Sequence, residues 1–557
     1  MKRYSMSRLR CLLANGLWYL STLPEARRFH RALGAGAAAQ EAVLRDILRK
    51  NAATAFGRRH GFAAMRSIED YQRAVPLADY EDFEPYIRRI ADGEAAVLTA
   101  EPVLLLEPTS GSAAASKLIP YTRGLKAQFQ RGIAAWMADL FRNMPDLLSG
   151  QSYWSVTPAA REAEHTAGGI PVGFEDDSEY LGGFKGWLVR ATQAVPAEVK
   201  QVRDMDGFWY ATVLFLLRSR NLALISVWNP TFLSLLCGHL QRWWPQLAED
   251  LARGTLTTPK PLPGPLRTAL TSRLRPDAAR AAELRAAFAG HPEPAAVNQA
   301  LWPHLRLISC WRDGTAAEAA AELAALFPQA TIQGKGLLAT EGFVTLPVVA
   351  GGCLPALRSH FFEFLPADGG EIRLLHHLED GQTYSLVLTT AGGLYRYRLR
   401  DLVQVTGFYR SVPRLRFVGK EDGIADHFGE KLHEQHVDGA LRQALAEFGL
   451  RPTFVMLALD QGPPPAYVLY FEDAAADEDQ LRRCGEQLEE CLADNFHYRY
   501  CRDLGQLAPL RVFRIAADGR QAYLHGCTAR GQRLGDVKPR VLHPATGWTK
   551  IFDGVLL

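Results

Sequence analysis

Three hydroxyl residues and a glycine crowd into Thr109-Ser110-Gly111-Ser112, and Lys117 follows five residues later. The apolar run Val103–Leu106 ahead of them reads as a strand end, and Pro120 closes the segment. A hydroxyl-rich turn exposes backbone N–H groups beside short side-chain donors, a combination that suits phosphate oxygens. Lys117 adds a mobile positive charge. No Gly-Lys-Ser/Thr follows the spaced glycine, so the segment is not a kinase-type phosphate loop. Taken alone, its plain reading is a Ser/Ala-rich surface loop. Its chemistry depends on partners farther along the chain.

Three later stretches offer such partners. Thr340-Glu341 ends the strand-like run Gly336–Gly342, Arg400-Asp401 ends the alternating run from Leu394, and Lys538 precedes Pro539-Arg540. Other constellations fail. His433-Glu434-Gln435-His436 lacks the spacing of a zinc helix motif, and no Gly-x-Ser-x-Gly elbow is present. His376 and His377, read as strand residues, point to opposite faces. None of the eight cysteines forms a Cys-x-x-Cys pair, which argues against a zinc ribbon or a thioredoxin-like site. Scattered thiols without a framework fit a reducing compartment.

The elements that position these residues follow from length and periodicity. A chain of 557 residues exceeds what one core supports, so at least two domains are expected. With 48% hydrophobic and 22% charged residues it has the composition of a soluble enzyme. A formal charge of +3 is too small for this length to point to nucleic acid or a membrane surface, and neither partner is expected.

The first hundred residues read as helical. Lys2, Arg3, Arg8 and Arg10 before Cys11-Leu12-Leu13 faintly suggest a signal peptide, but Asn15 and Gly16 interrupt the apolar run. An amphipathic helix carrying Leu13, Leu17 and Leu20 is the better reading. Gly34-Ala35-Gly36 is a helix junction rather than a dinucleotide fingerprint, because no strand precedes it. Residues 124–140 form a helix with Phe129, Ile133, Trp136 and Leu140 on one face. Strands at 151–158 and 222–228, with helices between, imply an α/β fold with a largely parallel sheet. From residue 330 the texture turns to strands. Gly419-Lys420-Glu421-Asp422-Gly423 is polar and glycine-flanked, as a hinge requires. Beyond it lies a smaller α+β unit whose helix 477–493 buries Leu481, Cys484, Leu488 and Cys491, so those two cysteines are core. The expected division is a large domain over 1–419, a hinge at 420–423 and a small mobile domain over 424–557.

Taken in order, the stretches TSGSAAASKLIPYT, GLLATEGFVTLPV, SHFFEF, GLYRYRLRDLVQVTGFY and RFVGKEDGIADHFGEKL resemble the adenylate-forming superfamily. More closely, the chain resembles the auxin-responsive (Gretchen Hagen type) acyl acid–amino acid amido synthetases and their bacterial relatives, over roughly residues 100 to 540. The last two stretches are long and specific. The resemblance implies an α/β fold, with a large N-terminal adenylate-forming domain of β-sheets and helices and a small α+β C-terminal domain. It implies an enzyme, cytoplasmic, that uses ATP and Mg²⁺ to adenylate a carboxylic acid and passes the acyl group to an amino acid or amine.

The resemblance also distributes roles. Thr109, Ser110, Gly111, Ser112 and Lys117 form the phosphate cradle. Leu338 and Ala339 wall the adenine, Thr340 binds the α-phosphate, and Glu341 holds Mg²⁺ through a hard oxygen. Asp401 accepts from both ribose hydroxyls, Arg416 reaches the ribose or phosphate, and Lys538 brings positive charge to the developing adenylate when the small domain closes. Trp154, Trp187 and Trp228 are either acyl-pocket walls or plain core.

Two residues depart from the family pattern, which carries glycine at the positions of Ala114 and Arg400. A left-handed Ala114 costs about 1 kcal/mol, or about fivefold in rate if charged wholly to the barrier. Two rival readings share the motifs: a ligase with a thiol acceptor, forming an acyl-CoA or carrier thioester, and a nucleotide-binding protein that has lost catalysis.

Overall fold

The computed structural model describes residues 2–109, 117–155, 164–173, 183–290, 293–313, 316–367, 369–421, 423–425, 428, 430, 432–462, 464–503, 506–530, 532, 534 and 537–557. Ser110, Gly111, Ser112 and Ala114 lie outside them. The chain divides into two compact units, Met1–Leu399 with Val403–Phe417, and Arg400–Leu402 with Val418–Leu557. The expected hinge at 420–423 therefore falls inside the second unit. The reason is local: Glu421 N donates to Arg400 O at 2.8 Å, which ties Arg400–Leu402 to the residues that follow Phe417.

The first unit opens on the helices Lys2–Ala32 and Gly36–Asn51, so the glycines between them are a helix junction as expected. Further helices follow, several of them started by side-chain caps. Ser67 and Asp70 form a capping box, and Thr122 accepts from Leu125 N to start the helix Arg123–Asn143. Asn229 caps the helix Pro230–Arg253 by accepting from Thr231 N.

A parallel sheet orders its strands Gln151–Trp154, Leu222–Ser226, Leu307–Cys310 and Thr331–Gly334. Leu222–Ser226 and Leu307–Cys310 are buried along their whole length. Both faces of a parallel sheet are covered, so its central strands carry continuous apolar runs rather than alternation. A second, five-stranded sheet runs Arg373–Leu374, Phe361–Pro366, Thr383–Thr389, Tyr397–Tyr409 and Val412–Lys420. Inside it Arg396 Nε lies 3.1 Å from Glu363 Oε2, with both side chains buried. The guanidinium also donates through Nη1 to the carbonyls of Gln72 and Val75, so the buried charge meets a carboxylate and two carbonyls.

Two expectations are corrected here. Gly336–Gly342 is not one strand: Leu338–Ala339 and Gly342–Phe343 pair antiparallel, Gly342 opposite Ala339, around a two-residue turn. Thr340 and Glu341 are that turn. His376 and His377 sit in the short 3-10 segment Leu375–His377 with ring centroids 4.0 Å apart, not on a strand.

In the second unit the sheet orders Leu542–His543, Phe454–Asp460, Ala466–Glu472, Ala508–Ile515 and Gly554–Leu556. The helix Glu478–Leu492 starts at an Asp477–Gln480 capping box and buries Leu481, Cys484, Leu488 and Cys491 against the core, as its spacing predicts.

Candidate functional site

The candidate phosphate loop is the connection of a hairpin. Leu105–Pro108 and Leu118–Tyr121 pair antiparallel with Pro108 opposite Leu118. Thr109 N donates to Lys117 O at 2.8 Å, joining the two described residues that flank Ser110, Gly111 and Ser112 in the chain. Tyr80 braces Lys117 and Leu118. Its hydroxyl accepts from Leu118 N at 2.8 Å, and its ring lies 5.6 Å beneath the Lys117 ammonium. That contact holds a mobile cation near the loop.

The far end of Leu118–Tyr121 reaches the second candidate segment. Tyr121 Oη donates to Thr340 O at 2.6 Å, so one short strand carries Lys117 at one end and grips the Thr340-Glu341 turn at the other. Glu341 is 8% exposed, and Tyr397 Oη donates to its Oε1 at 3.2 Å. Burial and the nearby Glu341 charge push the Tyr397 hydroxyl well above its ordinary range, so it stays a donor.

The turn is also held from behind. Phe343 N donates to His360 Nε2 at 2.9 Å, and burial pushes His360 down to about 3, which keeps that nitrogen an acceptor. Gly132 on the helix Arg123–Asn143 faces the Phe343 ring so closely that a Cβ there would lie 2.5 Å from Cδ1. Gly336, at φ +76°, lets the chain leave the parallel sheet and enter the hairpin against Thr345.

Leu338 and Ala339 are half-buried on the strand before the turn. The first unit thus brings Thr109, Lys117, Leu338, Ala339, Thr340 and Glu341 onto two connected hairpins. Arg416 takes another position: it is exposed, and its Nη2 donates to Gln404 Oε1 at 2.6 Å.

Asp401 and Lys538 belong to the second unit. Asp401 is 4% exposed and lies 3.2 Å from Lys420 Nζ. Arg400 beside it has φ +60°, the left-handed conformation for which glycine is the ordinary choice. Lys538 is exposed, and its carbonyl accepts from Tyr523 Oη at 2.9 Å.

Sequence reasoning missed Tyr80, Tyr121, Tyr397 and Lys335. Lys335 follows directly on the parallel strand Thr331–Gly334. Its Nζ donates to Ser226 Oγ at 2.5 Å and lies 4.9 Å from the Trp228 ring, 5.7 Å from Trp136 and 5.8 Å from Trp154. These groups gather at the carboxyl ends of parallel strands, where open α/β sheets hold ligands. Trp154 and Trp228 are thus brought together, whereas Trp187 stands 56% exposed. Among the described residues no group of three or more His, Cys, Asp or Glu could hold a metal.

Models of three domains match the sequence in order: GH3 family N-terminal domain over 25–332, GH3 family central domain over 353–420 and GH3 family C-terminal domain over 435–545. The indole-3-acetic acid-amido synthetase GH3.8 of Oryza sativa subsp. indica is 27% identical over 540 residues, covering 90% of this chain and 87% of that protein. The indole-3-acetic acid-amido synthetase GH3.3 of Arabidopsis thaliana is 26% identical over 535 residues, covering 90% and 88%. Among solved structures, GH3.15 acyl acid amido synthetase superposes with a TM-score of 0.78 at 21% identity over 95% of both chains. The AtGH3.15 acyl acid amido synthetase in complex with 2,4-DB gives 0.80 at 22% identity over 93% of both. These superpositions show a shared fold.

Proposed function

The chain belongs to the GH3 family, and from that premise we propose that it is an ATP- and Mg²⁺-dependent amido synthetase that joins a carboxylic acid to an amino acid or amine. The activities of these relatives support an acid–amido ligase. The observation that carries the reading onto this chain's own residues is the Thr340-Glu341 turn, gripped by Tyr121 and Tyr397 and linked through Leu118–Tyr121 to Lys117.

In the first half-reaction a carboxylate oxygen bonds to the α-phosphorus of ATP, and the bond from that phosphorus to pyrophosphate breaks. Thr109, Ser110, Gly111, Ser112 and Lys117 neutralise the phosphates, with Thr340 at the α-phosphate. Glu341 supplies a hard oxygen to Mg²⁺. One carboxylate is a usual protein share of a Mg²⁺ site, and the ion, when bound, would supply positive charge for the pyrophosphate leaving group. Leu338 and Ala339 flank the adenine. Asp401 takes the ribose hydroxyls, which requires Lys420 to share or yield its place. Arg416 is the further group assigned to the ribose or phosphate.

In the second half-reaction the amine nitrogen bonds to the acyl carbon, the bond from that carbon to AMP breaks, and the amine releases a proton as the amide forms. Lys538 brings its charge to the adenylate when the small domain closes. The free cysteines suit a reducing, cytoplasmic setting.

The test is pyrophosphate release from ATP and Mg²⁺ with a panel of aryl, indolyl and fatty acids, each with no acceptor, with mixed amino acids and with coenzyme A. Release that rises with amino acids and yields an amide supports the proposal. A rise with coenzyme A alone replaces it with a thioester ligase. ATP binding without release for any acid favours the non-catalytic reading that Arg400 at φ +60° raises.

A further inference from the structure

One row across the parallel sheet of the first unit is polar. Strand pairing sets Trp154 opposite Ser226, Ser226 opposite Ser309 and Ser309 opposite Gln333. Residues in register on parallel strands project from the same face, so these four line up across the sheet. Ser226 is 2% exposed and Ser309 0%. Three of the four have partners. Trp154 Nε1 donates to Ser152 Oγ at 3.2 Å, Gln333 Oε1 accepts from Trp136 Nε1 at 3.0 Å, and Ser226 Oγ accepts from the Lys335 ammonium. Ser309 Oγ, inside the row, has no hydrogen-bond partner among the described residues. Buried hydroxyls are nearly always paired, so one left over among paired neighbours is suited to a group from outside the chain.

A cation lies over the same row. Lys335 stands two residues beyond Gln333, and its backbone N donates to Cys310 O at 3.0 Å, which continues the strand past Gly334. To reach Ser226 its side chain crosses Leu307–Cys310, the strand that carries Ser309. The Trp136, Trp154 and Trp228 rings flank the ammonium. Indoles and a serine solvate a cation without carrying an opposite charge. An ammonium has three N–H donors, so it can keep Ser226 and still meet a carboxylate. Flat walls, a cation and a buried hydroxyl together make a site for a flat anion.

The cage adjoins the segment assigned to ATP. Trp136 follows Gly132 by four residues on the helix Arg123–Asn143, so the two share a face about 6 Å apart along the axis. Gly132 abuts the Phe343 ring behind the Thr340-Glu341 turn, and Trp136 walls the cage. From Lys335 the chain runs through Leu338–Ala339 to Thr340. A lysine kept only to lay its stem on aromatic rings accounts for the indole contacts. It does not account for the buried hydroxyl in the row beneath.

We propose that this cage holds the remote end of the acid substrate, and that Lys335 selects acids with a second anionic group there, an aromatic dicarboxylate being the simplest. The inference rests on the amido-synthetase reading for the chemistry at the other carboxylate. That carboxylate lies toward Thr340 and is the one adenylated. The remote carboxylate accepts from Lys335 Nζ and Ser309 Oγ, with the ring between the indoles.

The test is calorimetric titration of the full chain, with and without Mg²⁺ and the non-reacting α,β-methylene analogue of ATP. Terephthalate, para-carboxyphenylacetate and its one-carbon-longer homologue are each compared with the acid that has methyl in place of the remote carboxylate. At least one dicarboxylate should bind about tenfold or more tighter than its methyl counterpart. Lys335→Met keeps the stem, removes the charge and should erase that preference, whereas Lys335→Arg should keep part of it. Ser309→Ala should weaken dicarboxylate binding about fivefold or more. Its thermal melt should be unchanged or higher, whereas loss of a hydroxyl that served the fold would lower it. Methyl acids bound as tightly as dicarboxylates overturn the proposal, and the wild type alone reads that outcome. A preference that survives Lys335→Met overturns it too, as does a lack of binding by every acid of the set. Pyrophosphate release separates this inference from the reading beneath it. Release confined to monocarboxylates keeps the synthetase and removes the anionic selection. Dicarboxylate binding with the expected preference, but no release with any acid, removes the synthetase and keeps the site.

Discussion

Tyr397 Oη donates to Glu341 Oε1 at 3.2 Å, fixing a buried carboxylate at the tip of a two-residue turn. Tyr397→Phe keeps the ring and removes the donor. Groups that orient a metal ligand typically matter 10–100-fold, so pyrophosphate release should fall about that much and need more Mg²⁺. Glu341→Ala should abolish release altogether. Unimpaired adenylate formation by the alanine variant would remove Glu341 from its assigned role.

Gly132 is the back wall of the same turn. Gly132→Ala brings a Cβ to 2.5 Å from the Phe343 ring, next in the chain after Gly342. The ring must shift, at a cost of about 1–3 kcal/mol. Denaturant unfolding should show that loss together with reduced adenylation. Adding Phe343→Leu should recover part of both; no recovery would place the damage elsewhere.

His360 makes the protein acid-sensitive. Its folded pKa is pushed down to about 3, whereas an unfolded histidine titrates near 6.5. Between those values the unfolded chain binds a proton that the folded chain refuses. Stability is therefore full above about pH 6.5 and falls as pH drops, by up to about 1.4 kcal/mol per pH unit from this residue. His543, also pushed down to about 3, acts in the same direction in the second unit. Unfolding of His360→Gln measured from pH 7 to 4 should have a shallower slope than wild type. An unchanged slope would assign the acid sensitivity to other groups.

Arg400 holds φ +60°, a conformation that costs a side-chain-bearing residue about 1–2 kcal/mol. Arg400→Gly should relieve most of that and stabilise by up to about 1 kcal/mol, since glycine also gives the unfolded chain more freedom. Calorimetry and the rate of pyrophosphate release read the two consequences. A destabilised variant would show that the arginine side chain's contacts outweigh the strain.

Strand ends and helix faces were legible because apolar periodicity reports burial directly. The cysteines at 484 and 491 and the helix junction at Gly34–Gly36 follow that rule. The Thr340-Glu341 turn was not legible, because it contains none of the glycine, asparagine or proline signals that mark tight turns. Its supports come from far along the chain: Tyr121 lies 219 residues from Thr340, and Tyr397 lies 56 from Glu341. A phenol's target is set by tertiary packing alone. On the first helix the period correctly grouped Leu13, Leu17 and Leu20 but could not say which face turns inward. The buried side is built from Cys11, Asn15, Trp18 and Thr22, a mixture no hydropathy rule favours over leucine.

The polypeptide crosses between the two units three times, at Leu399/Arg400, Leu402/Val403 and Phe417/Val418. The small unit is therefore not a tail that can be cut off. A fragment begun at Val418 would leave Asp401 behind on the other piece, and Lys420 would lose the carboxylate 3.2 Å away. Severing the chain there removes a charge from one fragment and strands its counter-charge on the other. Dissection by truncation thus yields two incomplete halves, whereas point substitution leaves both units whole.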